Sequence, residues 1–131
     1  MKKLFAKIVI TALLITQLST PVLACTEPLT QGYWKNHVCE WCHELQDENL
    51  CGYTWQEVLN TPTRGDAWYI LAHQYIAFRL NICNGAFDRC SYKAELAQTE
   101  ELLEYGPGNI PANLRASAIE LAEMLDELNN K

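Results

Sequence analysis

Asp66-Ala67-Trp68-Tyr69-Ile70-Leu71-Ala72-His73-Gln74-Tyr75-Ile76-Ala77-Phe78-Arg79-Leu80-Asn81-Ile82, closed by Asn84-Gly85, is the stretch whose reading decides the fold of this chain. Asp66 has the side chain of a helix cap. Behind it Trp68, Ile70, Leu71, Ala72, Tyr75, Ile76, Phe78 and Leu80 occupy nearly every face. A helix that is apolar all round must be buried all round, so this pattern predicts a central helix from Ala67 to about Ile82. Asn84-Gly85 supplies the left-handed residue on which such a helix commonly ends.

Working outward, Thr54-Trp55-Gln56-Glu57 has capping-box spacing and leads into Val58-Leu59, a short helix that Pro62 stops. On the other side Ser91 is read as the start of a helix reaching about Tyr105, in which Ala94, Leu96, Leu102 and Leu103 alternate with glutamates until Gly106-Pro107-Gly108 breaks it. Pro111 suits the first turn of a last helix, along which Leu114, Ala118, Leu121, Leu125 and Leu128 draw one apolar stripe. From Cys25 to Tyr53 no sustained period is present, and four of the six cysteines fall there. The expected architecture is all-α: a small bundle of three longer helices and one short helix, under a disulfide-stapled, loop-rich N-terminal region. No strand, internal repeat or second domain is predicted.

Residues 1–24 read as a cleavable signal peptide: Lys2, Lys3 and Lys7, a short apolar run around Ile8-Val9-Ile10, and Pro21-Val22-Leu23-Ala24 as the cleavage site. The run is too short for a transmembrane helix, which needs about 20 apolar residues. Residues 25–131 are then one exported domain, secreted or periplasmic. Ala24-Cys25 also fits lipoprotein processing, so the alternative is a lipid anchor at Cys25 on an outer-membrane or cell-surface lipoprotein. Three of the ten Lys and Arg residues lie in the leader, so the domain carries seven against 16 acids, a net of −9. That surface repels phosphate backbones and excludes nucleic acid as a partner.

All six cysteines, Cys25, Cys39, Cys42, Cys51, Cys83 and Cys90, are disulfide candidates, since an even count in a short exported chain implies up to three bridges. The spacing points to Cys83 with Cys90, which flank a short turn between two predicted helices.

Two stretches carry a resemblance: Cys25-Thr26 followed by Leu29-Thr30-Gln31-Gly32-Tyr33-Trp34-Lys35-Asn36-His37, and Thr54-Trp55 through Leu59-Asn60-Thr61-Pro62 into Tyr69-Ile70-Leu71-Ala72-His73-Gln74-Tyr75-Ile76-Ala77, then Leu80-Asn81 and Asn84-Gly85-Ala86. They resemble an uncharacterised domain that recurs in secreted and cell-surface bacterial proteins. The likeness implies export and a self-contained helical module with Cys25 inside it; it implies no activity. The segment from His37 to Gly52 departs from that pattern, and there this chain's peculiarity is expected.

That segment holds Cys39-Glu40-Trp41-Cys42-His43, the C-x-x-C-H spacing of c-type haem attachment, in which two thiols join one porphyrin edge and the histidine reaches the iron. Under this alternative Cys39, Cys42 and His43 bind a covalent haem c, with His73, His37 or Met124 as the sixth ligand. A zinc site drawn from His37, Cys39, Cys42, His43 and Cys51 competes with it, although an oxidising compartment bridges thiols first. A thioredoxin-type Cys39/Cys42 pair would require an α/β fold, for which no strand pattern exists. His73 is expected as a core histidine bonded to the loop region, and neither Ser91 nor Ser117 sits in a nucleophile motif. Trp34, Trp41, Trp55 and Trp68, with Tyr33, Tyr53, Tyr69 and Tyr75, are expected as core filling under the loops, the alternative being an exposed row that grips a glycan or a partner surface. The residues thus imply an exported, non-catalytic module that works by binding a protein or glycan surface or by structure. No catalytic residue, cofactor or metal is assigned, and the mono-haem electron carrier is the alternative.

Overall fold

The computed structural model describes residues 26–131. The leader read over residues 1–24, and Cys25 with the alternative lipid anchor read there, lie outside them.

The central helix, α3, runs Ala67–Cys83, and Asp66 caps it by accepting from Trp68 N at 2.9 Å. Trp68, Leu71, Ala72, Ile76, Ala77, Phe78, Leu80 and Asn81 are wholly buried, as the all-round apolar pattern requires. Gly85, at φ +86°, turns the chain out of the helix. The last helix, α5 (Arg115–Asn129), packs most extensively on α3 through Ala118, Leu121, Ala122, Leu125 and Leu128. A third long helix, α4 (Lys93–Leu103), closes the bundle with Leu96, Thr99, Leu102 and Leu103. Both α4 and α5 begin later than predicted. Ser91 belongs to a 3₁₀ turn, Arg89–Tyr92, which Asp88 caps, and a second 3₁₀ turn over Ala112–Leu114 separates Pro111 from α5.

The short helix α2, Trp55–Asn60, has the predicted capping box: Glu57 N donates to Thr54 Oγ1 at 3.2 Å and Thr54 N donates to Glu57 Oε2 at 2.8 Å. The region before it is more ordered than its sequence promised. It contains a further short helix, α1 (Gln31–Asn36), capped by Thr30, and two 3₁₀ turns, Val38–Glu40 and His43–Leu45. It also contains a small antiparallel hairpin, β1 (Asn49–Leu50) with β2 (Tyr53–Thr54), which corrects the expectation of no strand. Its turn residues Cys51 and Gly52 stand at φ +50° and +84°, the two left-handed positions that match the twist of a two-residue hairpin. Cysteine is an unusual first residue for such a turn, and this hid the hairpin. The turn packs on the end of α4, where Cys51 Sγ donates to Leu103 O at 3.3 Å.

One buried side chain joins this region to the bundle. Asn81 Oδ1 accepts from Leu29 N at 2.8 Å and Trp34 Nε1 at 3.1 Å, while its Nδ2 donates to Leu29 O at 2.8 Å and Asn129 Oδ1 at 2.9 Å. Asn129, also wholly buried, passes the connection on to Gln74 O and Oε1 at 3.1 and 3.0 Å. The N-terminal strap, α1, α3 and α5 therefore meet at one amide whose four bonding positions are all filled, the condition under which a buried polar group is tolerated.

The second connection is covalent: Cys42 is bonded to Cys83, with Cα atoms 6.4 Å apart. This corrects the Cys83–Cys90 pairing expected from sequence proximity. The linker after α3 is not a plain turn, because Phe87 and Tyr92 both dock on Phe78, with ring centroids 5.0 and 5.2 Å away. Seating these rings leaves Cys90 exposed and unpaired, while Cys83, the last residue of α3, meets the loop that carries Cys42. Among the described residues no helix is long and apolar enough to cross a membrane.

Candidate functional site

The Cys39-to-His43 segment runs from the first 3₁₀ turn of the N-terminal region into the start of the second, and Trp41, between the turns, fixes it. That indole is 4 % exposed and donates from Nε1 to Trp34 O at 3.0 Å. Cys39 and Cys42 consequently flank an anchored residue. Cys39 is an exposed free thiol, whereas Cys42 is half-buried and bonded to the exposed Cys83. Haem attachment at C-x-x-C-H joins both thiols to the porphyrin; here the second sulfur is joined to Cys83, and Cys39 is the one thiol the motif retains. His43 is exposed. The histidines and methionine offered as a sixth ligand are dispersed: His37 stacks on Tyr33 at 3.9 Å, His73 lies inside the bundle, and Met124 packs on the core from α5.

The residues offered for zinc are not gathered either. His37 Nδ1 is bonded to Tyr33 O at 2.7 Å, and Cys51 sits on the end of α4. Among the described residues, the group of three ligand-type atoms lying within 4.8 Å of one another is Cys42, Glu44 and Cys83, of which two form the disulfide. Glu44 Oε2 lies 3.8 Å from Cys83 Sγ.

Groups suited to acid–base chemistry are held in structural bonds. His73, 7 % exposed, points Nε2 at Val58 O, 2.7 Å away. A carbonyl only accepts, so Nε2 carries the proton. Its partner is thus the end of α2, not the loop region proper. Burial holds the imidazole below the ordinary 6.5; bonds to the Val58 and Thr61 carbonyls oppose this, and Lys35 reinforces it weakly. Tyr75 donates to Glu100 Oε1 at 2.9 Å and accepts from Arg79 Nη1 at 2.6 Å. Burial pushes its phenol up to about 12, against the lowering pull of Arg79, so it works as a donor throughout the physiological range. Tyr33 donates to Glu40 Oε2, and that bond raises its phenol above 10.0.

The same Tyr75–Arg79–Glu100 network backs an open groove on α4. Arg79 lies over the rings of Trp55 and Tyr75, 5.8 and 5.6 Å from their centroids, and reaches Glu100 at 3.4 Å. Glu100 in turn lines a cavity of about 370 Å³ shared with Arg89, Cys90, Lys93, Leu96 and Ala97. Leu96 and Ala97 give it an apolar lining, and Arg89 and Lys93, two of the seven cations among residues 26–131, share it with Glu100. Nothing in the sequence signals this groove, because Arg89 and Lys93 come together with the α4 surface only once the 3₁₀ turn has formed.

All four tryptophans are interior, at 2 %, 4 %, 1 % and 0 % exposure for Trp34, Trp41, Trp55 and Trp68, whereas Tyr53, expected in the core, is 47 % exposed because it stands on the small hairpin, and Tyr105 is exposed as well. The sequence reading also passed over Asn81 as a structural centre, since a lone asparagine in an apolar helix has no periodic signature. Comparison of the chain with protein-family models, with curated proteins and with solved structures found no match to any of them.

Proposed function

We propose that this chain is an exported, disulfide-stapled helical module, secreted or periplasmic, that acts by binding a partner protein and not by catalysis. The observation that carries the reading is the α4 groove: an apolar lining of Leu96 and Ala97 shared with Arg89 and Lys93, open to solvent while His73 and Tyr75 are engaged inside the fold. An acidic, amphipathic segment of another protein matches that surface in both respects. A glycan fits it poorly, because glycan recognition wants exposed aromatic faces and the indoles are buried. Export is supported by the composition of residues 1–24 and by a disulfide, a bond that persists in oxidising compartments.

The test is site-specific photocrosslinking in the producing cells, with the photoreactive residue at position 97 in the groove or, as control, at position 123 on α5. The reading expects an adduct with another protein from position 97 that disappears when Arg89 and Lys93 are both changed to glutamate. Equal labelling from both positions, adducts insensitive to charge reversal, or adducts only between copies of this chain would overturn it.

A further inference from the structure

Two bonded cysteines and a carboxylate stand together, and a third cysteine lies three residues away along the chain, an arrangement that binding does not explain. Cys42–Cys83 is a solvent-accessible disulfide, one sulfur half-buried and the other on an exposed residue. Three residues before Cys42 stands a free, exposed thiol, Cys39. Trp41, held in the core between them, keeps both cysteines on one short arc. A free thiol three residues from a disulfide cysteine is a nucleophile that local motion of the loop can bring to it, and C-x-x-C is a spacing that closes readily into a local ring.

We propose that Cys39, Cys42 and Cys83 form an internal thiol–disulfide exchange site with two redox-equal states. In the exchange, the Cys39 thiolate attacks Cys42 Sγ. A Cys39–Cys42 bond forms, the Cys42–Cys83 bond breaks, and the electron pair leaves on Cys83. The proton lost by Cys39 ends on Cys83, so the protein neither gains nor loses electrons and no external oxidant is needed. The two states differ in what they hold. Cys42–Cys83 fastens the 38–45 segment to the end of α3, whereas Cys39–Cys42 is local and fastens nothing. Exchange therefore frees the 38–45 segment from its covalent tie to the end of α3, the Asn81 junction remaining, and presents Cys83 as an exposed thiol. Glu44, 3.8 Å from Cys83 Sγ, opposes negative charge on the departing sulfur and so holds the stapled state in place.

The site is testable because cleavage after Lys35, Arg64, Arg79 and Arg89 places Cys39 and Cys42 on the 36–64 peptide and Cys83 on the 80–89 peptide. The folded, oxidised protein is held at about pH 8.5, where thiolates are populated, then alkylated with iodoacetamide, digested without reductant and mapped by mass spectrometry. The proposal expects the 80–89 peptide to appear singly alkylated and free of its partner in increasing amount with time. It expects no such growth in Cys39→Ser, which alters an exposed side chain, and growth up to about 5-fold faster in Glu44→Gln, the effect of removing one nearby solvent-exposed charge. Retention of the 36–64 to 80–89 link throughout, with Cys39 alkylated instead, would overturn it. So would equal release of Cys83 in Cys39→Ser.

Discussion

Replacing Asn81 by leucine keeps the heavy-atom count and branching of the side chain and removes all four of its hydrogen bonds, so the loss reports chiefly hydrogen bonding, with a smaller part from the bulkier methyl groups. The four abandoned groups are not equivalent. Leu29 N and O lie on a half-buried strap and can rehydrate, at small cost. Trp34 Nε1 and Asn129 Oδ1 belong to residues 2 % and 0 % exposed and cannot. An orphaned buried polar group costs about 1–3 kcal/mol, so two of them imply about 2–6 kcal/mol, and about 3 kcal/mol is expected after the gain from a buried leucine is set against it. Urea unfolding of the disulfide-intact protein, followed by the fluorescence of the four buried indoles, measures this directly. Asn129→Leu in the same background should cost less in the Asn81→Leu protein than in wild type, since Asn129 Oδ1 has then already lost its donor. A loss below about 1 kcal/mol, or strict additivity of the pair, would refute the assignment of Asn81 as the junction of strap, α1, α3 and α5.

Other outcomes follow from the same structure. Cys42 and Cys83 are 41 residues apart in sequence, and replacing both by serine should lower stability by about 4 kcal/mol on the loop-entropy relation, read as a lower urea midpoint. Cys90→Ser should leave the midpoint within about 0.5 kcal/mol equivalent, because that thiol bonds nothing. Trp68→Phe should cost about 1 kcal/mol more than Trp55→Phe, since Trp68 Nε1 donates to Leu103 O at 2.8 Å whereas Trp55 Nε1 has no partner and both rings are fully buried. His73 has its pKa lowered by folding, so the unfolded chain binds the proton first. Its contribution is complete above the ordinary 6.5 and is lost as pH falls below that value toward the depressed folded one. The stability of wild type should accordingly fall more steeply over this window than that of His73→Gln; parallel curves would contradict the assignment.

What could be read in the sequence was what depends on neighbours in the chain. The Thr54–Glu57 capping box, the Asp66 cap, the all-round apolar α3 and the stripe of α5 are local patterns with local causes. What escaped depends on contacts between distant residues or on elements too short to show a period. The six residues of α1 contain no repeat, and the hairpin turns on Cys51-Gly52 in place of the usual Asn-Gly. Proximity favoured Cys90 as the partner of Cys83, but the docking of Phe87 and Tyr92 on Phe78 routes Cys90 outward. For the candidate site, Cys39, Cys42 and His43 stand out in the sequence as a cluster, but nothing in it shows that Cys83 joins Cys42 from 41 residues away. The groove on α4 likewise exists only in the folded chain, since its cations and its apolar lining come from a 3₁₀ turn and the helix that follows it.

The measurement that bears most directly on the central claim is the covalent map of the protein taken from producing cells, acid-quenched at harvest, alkylated and digested without reductant, together with its intact mass and visible spectrum. The account predicts a colourless protein with the 36–64 peptide linked to the 80–89 peptide through Cys42 and Cys83. A Soret band with the added mass of a haem on Cys39 and Cys42, or a link from 80–89 to the peptide that begins at Cys90, would contradict it.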